Sequence, residues 1–443
     1  MCTRTYWTYS TAAALLALAA AAPAAAQQPV PLSLSQAVTV AADTAPQVQI
    51  SALQTAAALG RLEQARSIYY PQLGGAGDVV RQTTNSKDFG ISLGPDVPEL
   101  IGPYTIWDFR LNAAQTIFDP SDWLRARAAR QQVEVNRAQT GTSAQAAALQ
   151  AGQAYVNATR ARATVSARQQ DLALASELLN LAQQQFKAGV GTRLDVVRAQ
   201  SQVAASRAAI ELARSQQTQA EIQLARALGV PPTTDFVLTD SLAPDLGRST
   251  APETEDSAVA RALARRPELS AARAGLEAAQ LGRRAVSAQR LGHLSAGADY
   301  GLNGPALDDM IRTGKIAVEY QIPIFQGGRI SGAVHEQEAV VGQAQVHLSD
   351  LREQITADVT TAIAALQSGE AQQTMAREQL TLAEEELREA RLRFGNGIAG
   401  NIEVVNAQSS LIRARDALIQ AMANTALARV QLARAVGVTT TVH

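Results

Sequence analysis

The sequence predicts a mainly α-helical fold with a β-barrel portion, assembled from two related halves that each run helix, strand, strand, helix, helix. Three observations predict it. The stretch from Phe186 to Val230 returns without a gap at Phe394 to Val438, 208 positions later, with 18 of 45 positions identical. A repeat unit of this size is far longer than the 20–50 residues of a solenoid, so each copy is a large structural unit. Residues Trp123 to Lys187 contain no proline and only two glycines, a helix of about 100 Å at 1.5 Å per residue. Finally, the regions between the helices alternate apolar and polar residues with a period of two, the signature of strands with one greasy and one wet face.

The elements follow in order. Residues 1–26 read as a secretory signal peptide, with Arg4 as the basic segment, Ala12 to Ala22 as a short apolar core, and Ala24-Ala25-Ala26 as the cleavage site before Gln27. The apolar run falls short of the roughly 20 residues a membrane-spanning helix requires. The sole cysteine, Cys2, lies within this segment and away from the cleavage point, which argues against a lipid-anchored N-terminus. The first repeat covers 27–230. Its opening helix starts near Ser33 or Ser35, is interrupted at Pro46, and stops at Pro71. Strands occupy about 72–118. Asp119-Pro120-Ser121-Asp122 caps the long helices of 120–228, which Gly189-Val190-Gly191-Thr192 divides. A linker spans 231–255, opening on Pro231-Pro232.

The second repeat, 256–438, restates the order. Pro267 corresponds to Pro46, strands occupy about 292–325, and long helices run over 327–437 with a glycine-rich turn at 395–400. Residues 439–443 form a C-terminal tail. Trp107, Phe109 and Leu111 make the apolar set of one strand, against Asp108, Arg110 and Asn112. Ile316, Val318, Tyr320 and Ile322 make that of another, against Glu319 and Gln321. Leu294, Ala296, Ala298, Tyr300 and Leu302 alternate likewise, and the region after Leu73 does so weakly.

Composition narrows the function. Aromatics are only 4% of a 443-residue chain rich in helix formers, which favours long seams between closely approaching helices over a compact globule. Net charge is −1, which argues against nucleic acid as a partner. No other stretch reads as a hydrophobic membrane helix, so a membrane location requires a β-barrel. Four strands cannot close one, because open edges are not tolerated in lipid and the smallest common barrels need about eight strands. Several chains must therefore share a single barrel. The alternative is a soluble hairpin packed on helices.

The motifs "IFDPSDWLRARAAR" (117–130), "IPIFQGGRISGAVHEQEA" (322–339), "FKAGVGTRLDVVRAQ" (186–200) and "RFGNGIAGNIEVVNAQ" (393–408), in this duplicated order after a signal peptide, resemble those of the TolC-like outer-membrane efflux channels. The resemblance covers essentially the whole mature chain. It implies a homotrimer whose twelve strands form one barrel in the outer membrane. Its helices form a tunnel across the periplasm that docks onto a periplasmic adaptor protein and an inner-membrane transporter. It implies adaptor contact and gating at the helix turns, Gly189, Val190, Gly191 and Thr192 in one and Gly397, Ile398 and Gly400 in the other, where glycine also serves as a left-handed helix cap. Opening would swing the second-half hairpin, near 386–412, outward.

Glu403 stands where relatives carry a pore-constricting aspartate, and three copies would form a ring that favours cations. The next acidic position of that pattern is Asn406, and Asp195 is the first-half counterpart of Glu403. The alternative is an acidic residue near a helix N-terminus, stabilised by the helix dipole. An arginine latch of some relatives aligns with Ala399, so that latch is absent here.

The residues suggest no enzyme, cofactor or metal. Gly395-x-Gly397-x-x-Gly400 spells a dinucleotide fingerprint but follows a helix, not a strand. His335 and His347 lie about 120° apart around a regular helix and cannot share a metal. The expected role is a passive exit duct of a tripartite efflux system. The alternatives are the channel of a type I protein secretion system and a soluble periplasmic coiled-coil protein.

Overall fold

A computed structural model describes residues 30–85, 100–243, 245–247, 254–396, 398 and 400–439. The signal peptide 1–26, Gly397, Ala399 and the tail beyond 439 lie outside the described residues. In chain order the elements are β1 (Val30–Leu32), α1 (Leu34–Thr44), α2 (Pro46–Arg66), β2 (Gln72–Asn85), β3 (Leu100–Phe118), α3 (Pro120–Lys187), α4 (Arg193–Leu228), β4 (Phe236–Leu238), α5 (Glu255–Arg265), α6 (Pro267–Ala288), β5 (His293–Gly304), β6 (Ile311–Gln321), α7 (Arg329–Gly395) and α8 (Asn401–Val436). The 68-residue α3 contains the proline-free stretch from Trp123 to Lys187, and the 67-residue α7 is the first of the long helices expected over 327–437.

The chain divides into two compact units, and each draws on both sequence halves. Among the described residues, the first falls within 1–46, 144–261 and 358–443. It contains β1 paired in parallel with β4, which lies inside the 231–255 stretch. Tyr155 of α3 is fully buried and holds this small sheet. Its hydroxyl lies 2.9 Å from both the Leu32 carbonyl and Asp240 Oδ2, and that same carboxylate accepts the Leu34 amide at the start of α1. Burial pushes the Tyr155 phenol well above its ordinary pKa. Helix α1 opens with a complete capping box between Ser33 and Gln36.

The sequence Ala-Leu/Val-Gly-Val ends α4 and α8 in the same way. Gly229 and Gly437 adopt left-handed φ of 74° and 80°, and the valine after each donates its amide five residues back, to Ala225 and Ala433. This closure satisfies carbonyls that a helix end otherwise leaves open.

The second unit comprises residues 47–143 and 262–357. Its helices pack through Ala58, Leu62 and Val133, with Ala129 alongside. Its sheet has the order β2-β3-β5-β6, antiparallel throughout. Among the described residues β2 and β6 each have one strand neighbour, so both edges of the sheet are open. Asp119 accepts the Asp122 amide at 3.0 Å and so caps α3, and Trp123 meets Phe118 edge-on at 5.3 Å where strand passes into helix.

Candidate functional site

In an antiparallel sheet, residues directly paired across strands share a face. Leu111 pairs with Gly75 and Tyr300, Phe109 with Gly77 and Leu302, and Ala113 with Leu73 and Ala298. Ala298 pairs onward with Ile316, Ala296 with Val318, and Leu294 with Tyr320. Trp107, Phe109 and Leu111 therefore share one face with Ile316, Val318 and Tyr320. Most of this face is exposed, Ile316 to 86%. Ile322 is half exposed but lies beyond β6. Pro323 cannot donate to a ladder, and pairing stops at Gln321 opposite His293.

The opposite face is polar. Arg110 binds Asp108 on its own strand and Asp299 on β5, at 2.8 and 2.7 Å. Asp299 in turn sits between Asn112 and Lys315 in register. The sheet thus has an apolar exposed face, a charged face with paired ions, and two free edges.

The turns between long helices lie in the first unit. After α3, Gly189 takes a φ of 76°, its amide reaches the Phe186 carbonyl, and Val190 donates to Gln185 at 3.1 Å. Only a residue tolerant of positive φ completes this helix end. Thr192 then caps α4 with a full capping box. The Asp195 amide donates to the Thr192 hydroxyl oxygen, and the Thr192 amide and hydroxyl donate to the Asp195 carboxylate at 3.1 and 2.6 Å. Asp195 is therefore engaged in its own helix terminus.

The second turn differs. Ile398 donates to the Arg393 carbonyl, as Val190 does to Gln185, but the N-cap of α8 is Gly400, which has no side chain to close a box. Glu403 is released from capping and approaches Arg393 at 3.6 Å, both partly exposed. Asn406 lies one helical turn on, on the same exposed face. Val190 and Ile398, which occupy equivalent repeat positions, are 78% and 70% exposed. The turns are tied to one another: buried Asn401 donates to the Asp195 carbonyl at 3.0 Å, and Gln185 to the Phe394 carbonyl at 2.9 Å.

Behind the turns, Leu178 of α3 joins Leu387, Ala390 and Phe394 of α7 and Val404, Ala407 and Leu411 of α8 in one apolar cluster. Further from the turns stands an ionic cluster that sequence reasoning missed. Asp171, only 2% exposed, receives Arg168 from its own helix and Arg415 from α8, each at 3.0 Å, and Arg168 also binds Asp416. Burial pulls the Arg168 guanidinium down, but the carboxylates of Asp416 and Asp171 outweigh it and the net shift is upward. The local signal is an Arg-x-x-Asp in α3 and an Arg-Asp in α8; their meeting depends on helix register.

A duplicated set of long helical hairpins bearing an open-edged, one-face-apolar sheet defines the class of protein. The chain belongs to the outer membrane efflux protein family, whose model matches residues 37–230 and 258–438, and it is a protein of the outer membrane. Among its relatives, the outer membrane efflux protein BepC of Brucella suis is 26% identical over 84% of this chain and 78% of its own length. The pyoverdine export outer membrane protein OpmQ of Pseudomonas putida is 25% identical over 64% of this chain and 60% of its own. The fold matches that of a membrane protein from Pseudomonas aeruginosa with a TM-score of 0.80 and 23% identity, over 91% of this chain and 93% of that one. It matches the outer membrane protein VceC of Vibrio cholerae at 0.76 and 20%, over 91% and 96%.

Proposed function

We propose that three copies of this chain form one passive duct, the outer-membrane component of a tripartite efflux system. One observation carries the reading: a four-stranded sheet with two free edges and an exposed apolar face. In lipid every backbone donor and acceptor needs a protein partner, so each free edge must meet another chain. Three protomers supply twelve strands, within the range of membrane barrels. Trp107, Phe109, Leu111, Ile316, Val318, Tyr320 and Ile322 then meet lipid, and the Asp108–Arg110–Asp299 face lines water. The long helices continue the passage through the periplasm.

The two turns between the long helices are the docking surface for a periplasmic adaptor, which couples the duct to an inner-membrane transporter. The equivalent exposure of Val190 and Ile398 supports this, since singly exposed aliphatic residues at matched places suit repeated contacts around a ring. Glu403, with Asn406 on the same face, forms the charged part of the constriction. Asp195 contributes through the cap of α4. An efflux system is favoured over a protein secretion system because the relatives BepC and OpmQ bear efflux and export names.

The test is purification of the protein from outer membranes. The expected product is a detergent-soluble trimer that dissociates only on heating and conducts ions across a planar bilayer, with cation preference reduced by Glu403→Gln. A monomer that stays soluble in buffer without detergent overturns the reading.

A further inference from the structure

The apolar face of the four-stranded sheet carries two charges. Both are arginines, and both stand toward the ends of the strands remote from the helices. Arg81 of β2 is in register with Thr105, two positions beyond Val79 and Trp107. Arg312 of β6 is in register with Leu302, next to the short β5–β6 connection. Both are exposed. Among the described residues no carboxylate lies within ion-pair distance of either, although Asp308 and Asp309 occupy the adjoining connection. On the opposite face the arginine is saturated: Arg110 has two carboxylates. The asymmetry is therefore one of partners as well as of position.

A lipid-facing arginine is heavily penalised at the centre of a bilayer and tolerated near its border. There its stem lies along apolar surface while the head reaches the polar layer. The head is a planar fork that binds two oxygens of one phosphate at once, a geometry an ammonium group cannot match. We propose that Arg81 and Arg312 bind the phosphate of membrane-lipid headgroups at the border of the bilayer remote from the helices. They would fix the depth of the barrel and hold a shell of phosphorylated lipid around it. The proposal rests on the reading of this face as lipid-facing.

The experiment is native mass spectrometry of the detergent-solubilised full-length protein with phosphatidic acid or, as a probe lacking phosphate, diacylglycerol. Wild type is expected to retain phosphatidic acid in preference to diacylglycerol. Arg81→Ala and Arg312→Ala are each expected to lower that retention about fivefold, the effect of one basic residue at an anionic surface. Arg→Lys at both positions is expected to lose less than either alanine variant. Heat-sensitive migration of the oligomer on gels checks that each variant folds. Unchanged phosphatidic acid retention in the double alanine variant overturns the proposal. So does displacement of the lipid by millimolar inorganic phosphate, which would mark a site for free anions. Failure of wild type to retain either lipid overturns the lipid-facing reading itself.

Discussion

The ionic cluster of α3 and α8 gives the most quantitative prediction. Asp171 is almost fully buried, and its two carboxylate oxygens are met by two guanidinium groups, one from each helix. Charge-assisted hydrogen bonds contribute roughly 1.5–3 kcal/mol each, and removing one member of a buried pair strands the other. Arg168 and Arg415 are themselves 17% and 22% exposed, so water takes up part of their loss. Asp171→Ala is accordingly expected to destabilise the protein by about 3 kcal/mol, the low end for breaking a buried pair. Arg415→Ala is expected to cost about 2 kcal/mol, because Arg168 still neutralises Asp171.

The informative quantity is their coupling. In a double-mutant cycle, denaturant unfolding followed by far-ultraviolet circular dichroism at fixed protein concentration should return a coupling of about 1–2 kcal/mol. The double variant should be less destabilised than the sum of the single ones. Strict additivity, within about 0.5 kcal/mol, would refute the claim that this pair joins α3 to α8.

Three further outcomes are expected. Tyr155→Phe should cost about 1–2 kcal/mol, since the buried Tyr155 hydroxyl bonds the Leu32 carbonyl and the part-buried Asp240 carboxylate, and each loses that contact. The folded phenol titrates above the unfolded one, so wild-type stability should fall as pH rises past about 10, and a pH series of melting curves should show less of this fall in the phenylalanine variant. Gly400→Thr should let Glu403 close a capping box like that of Thr192 and Asp195, gaining about 0.5–1 kcal/mol for α8, and unchanged stability would refute the role assigned to the missing hydroxyl. Gln408 is fully buried in α8, with no partner for either amide atom among the described residues, so Gln408→Leu should stabilise by about 1–2 kcal/mol, measured by denaturant midpoint.

The fold was legible where periodicity or punctuation writes it down. The alternation of Trp107, Phe109 and Leu111 against Asp108, Arg110 and Asn112 placed both faces of β3. Asp119-Pro120-Ser121-Asp122 marked a helix start through capping chemistry that needs no tertiary context, and Gly189-Val190-Gly191-Thr192 marked the break between α3 and α4. The weaker alternation after Leu73 reflects Gly75 and Gly77, which have no side chain to display a face, yet both lie in β2 opposite Leu111 and Phe109. The three-residue pairing of β1 with β4 gave no signal. Val30-Pro31-Leu32 and Phe236-Val237-Leu238 are too short for a period, and Tyr155, which fixes them, sits in the middle of an ordinary helical pattern. The Asp171 cluster was hidden for a different reason. Charges three residues apart are common on exposed helices, and only the register of α3 against α8 buries these.

The repeat itself shows how duplicated sequence comes to serve unlike ends. Phe186 and Phe394 are equivalent in the alignment, yet Phe186 is 48% exposed and Phe394 is 4% exposed within the apolar cluster. Gln185 spends its amide on the Phe394 carbonyl, while its counterpart Arg393 pairs with Glu403. Thr192 anchors Asp195, and Gly400 leaves Glu403 available. These substitutions act together. Losing the cap hydroxyl frees a carboxylate, and an arginine in place of glutamine gives that carboxylate a partner across the turn. An exposed ion pair of this kind contributes little to stability, of order 0–1 kcal/mol, and weakens with salt. A box of backbone and hydroxyl bonds does not release its carboxylate so readily. The second turn therefore holds its acidic residue by the weaker and more salt-sensitive device. That device suits the charged constriction proposed for Glu403, whereas the first turn keeps Asp195 within the cap of its own helix.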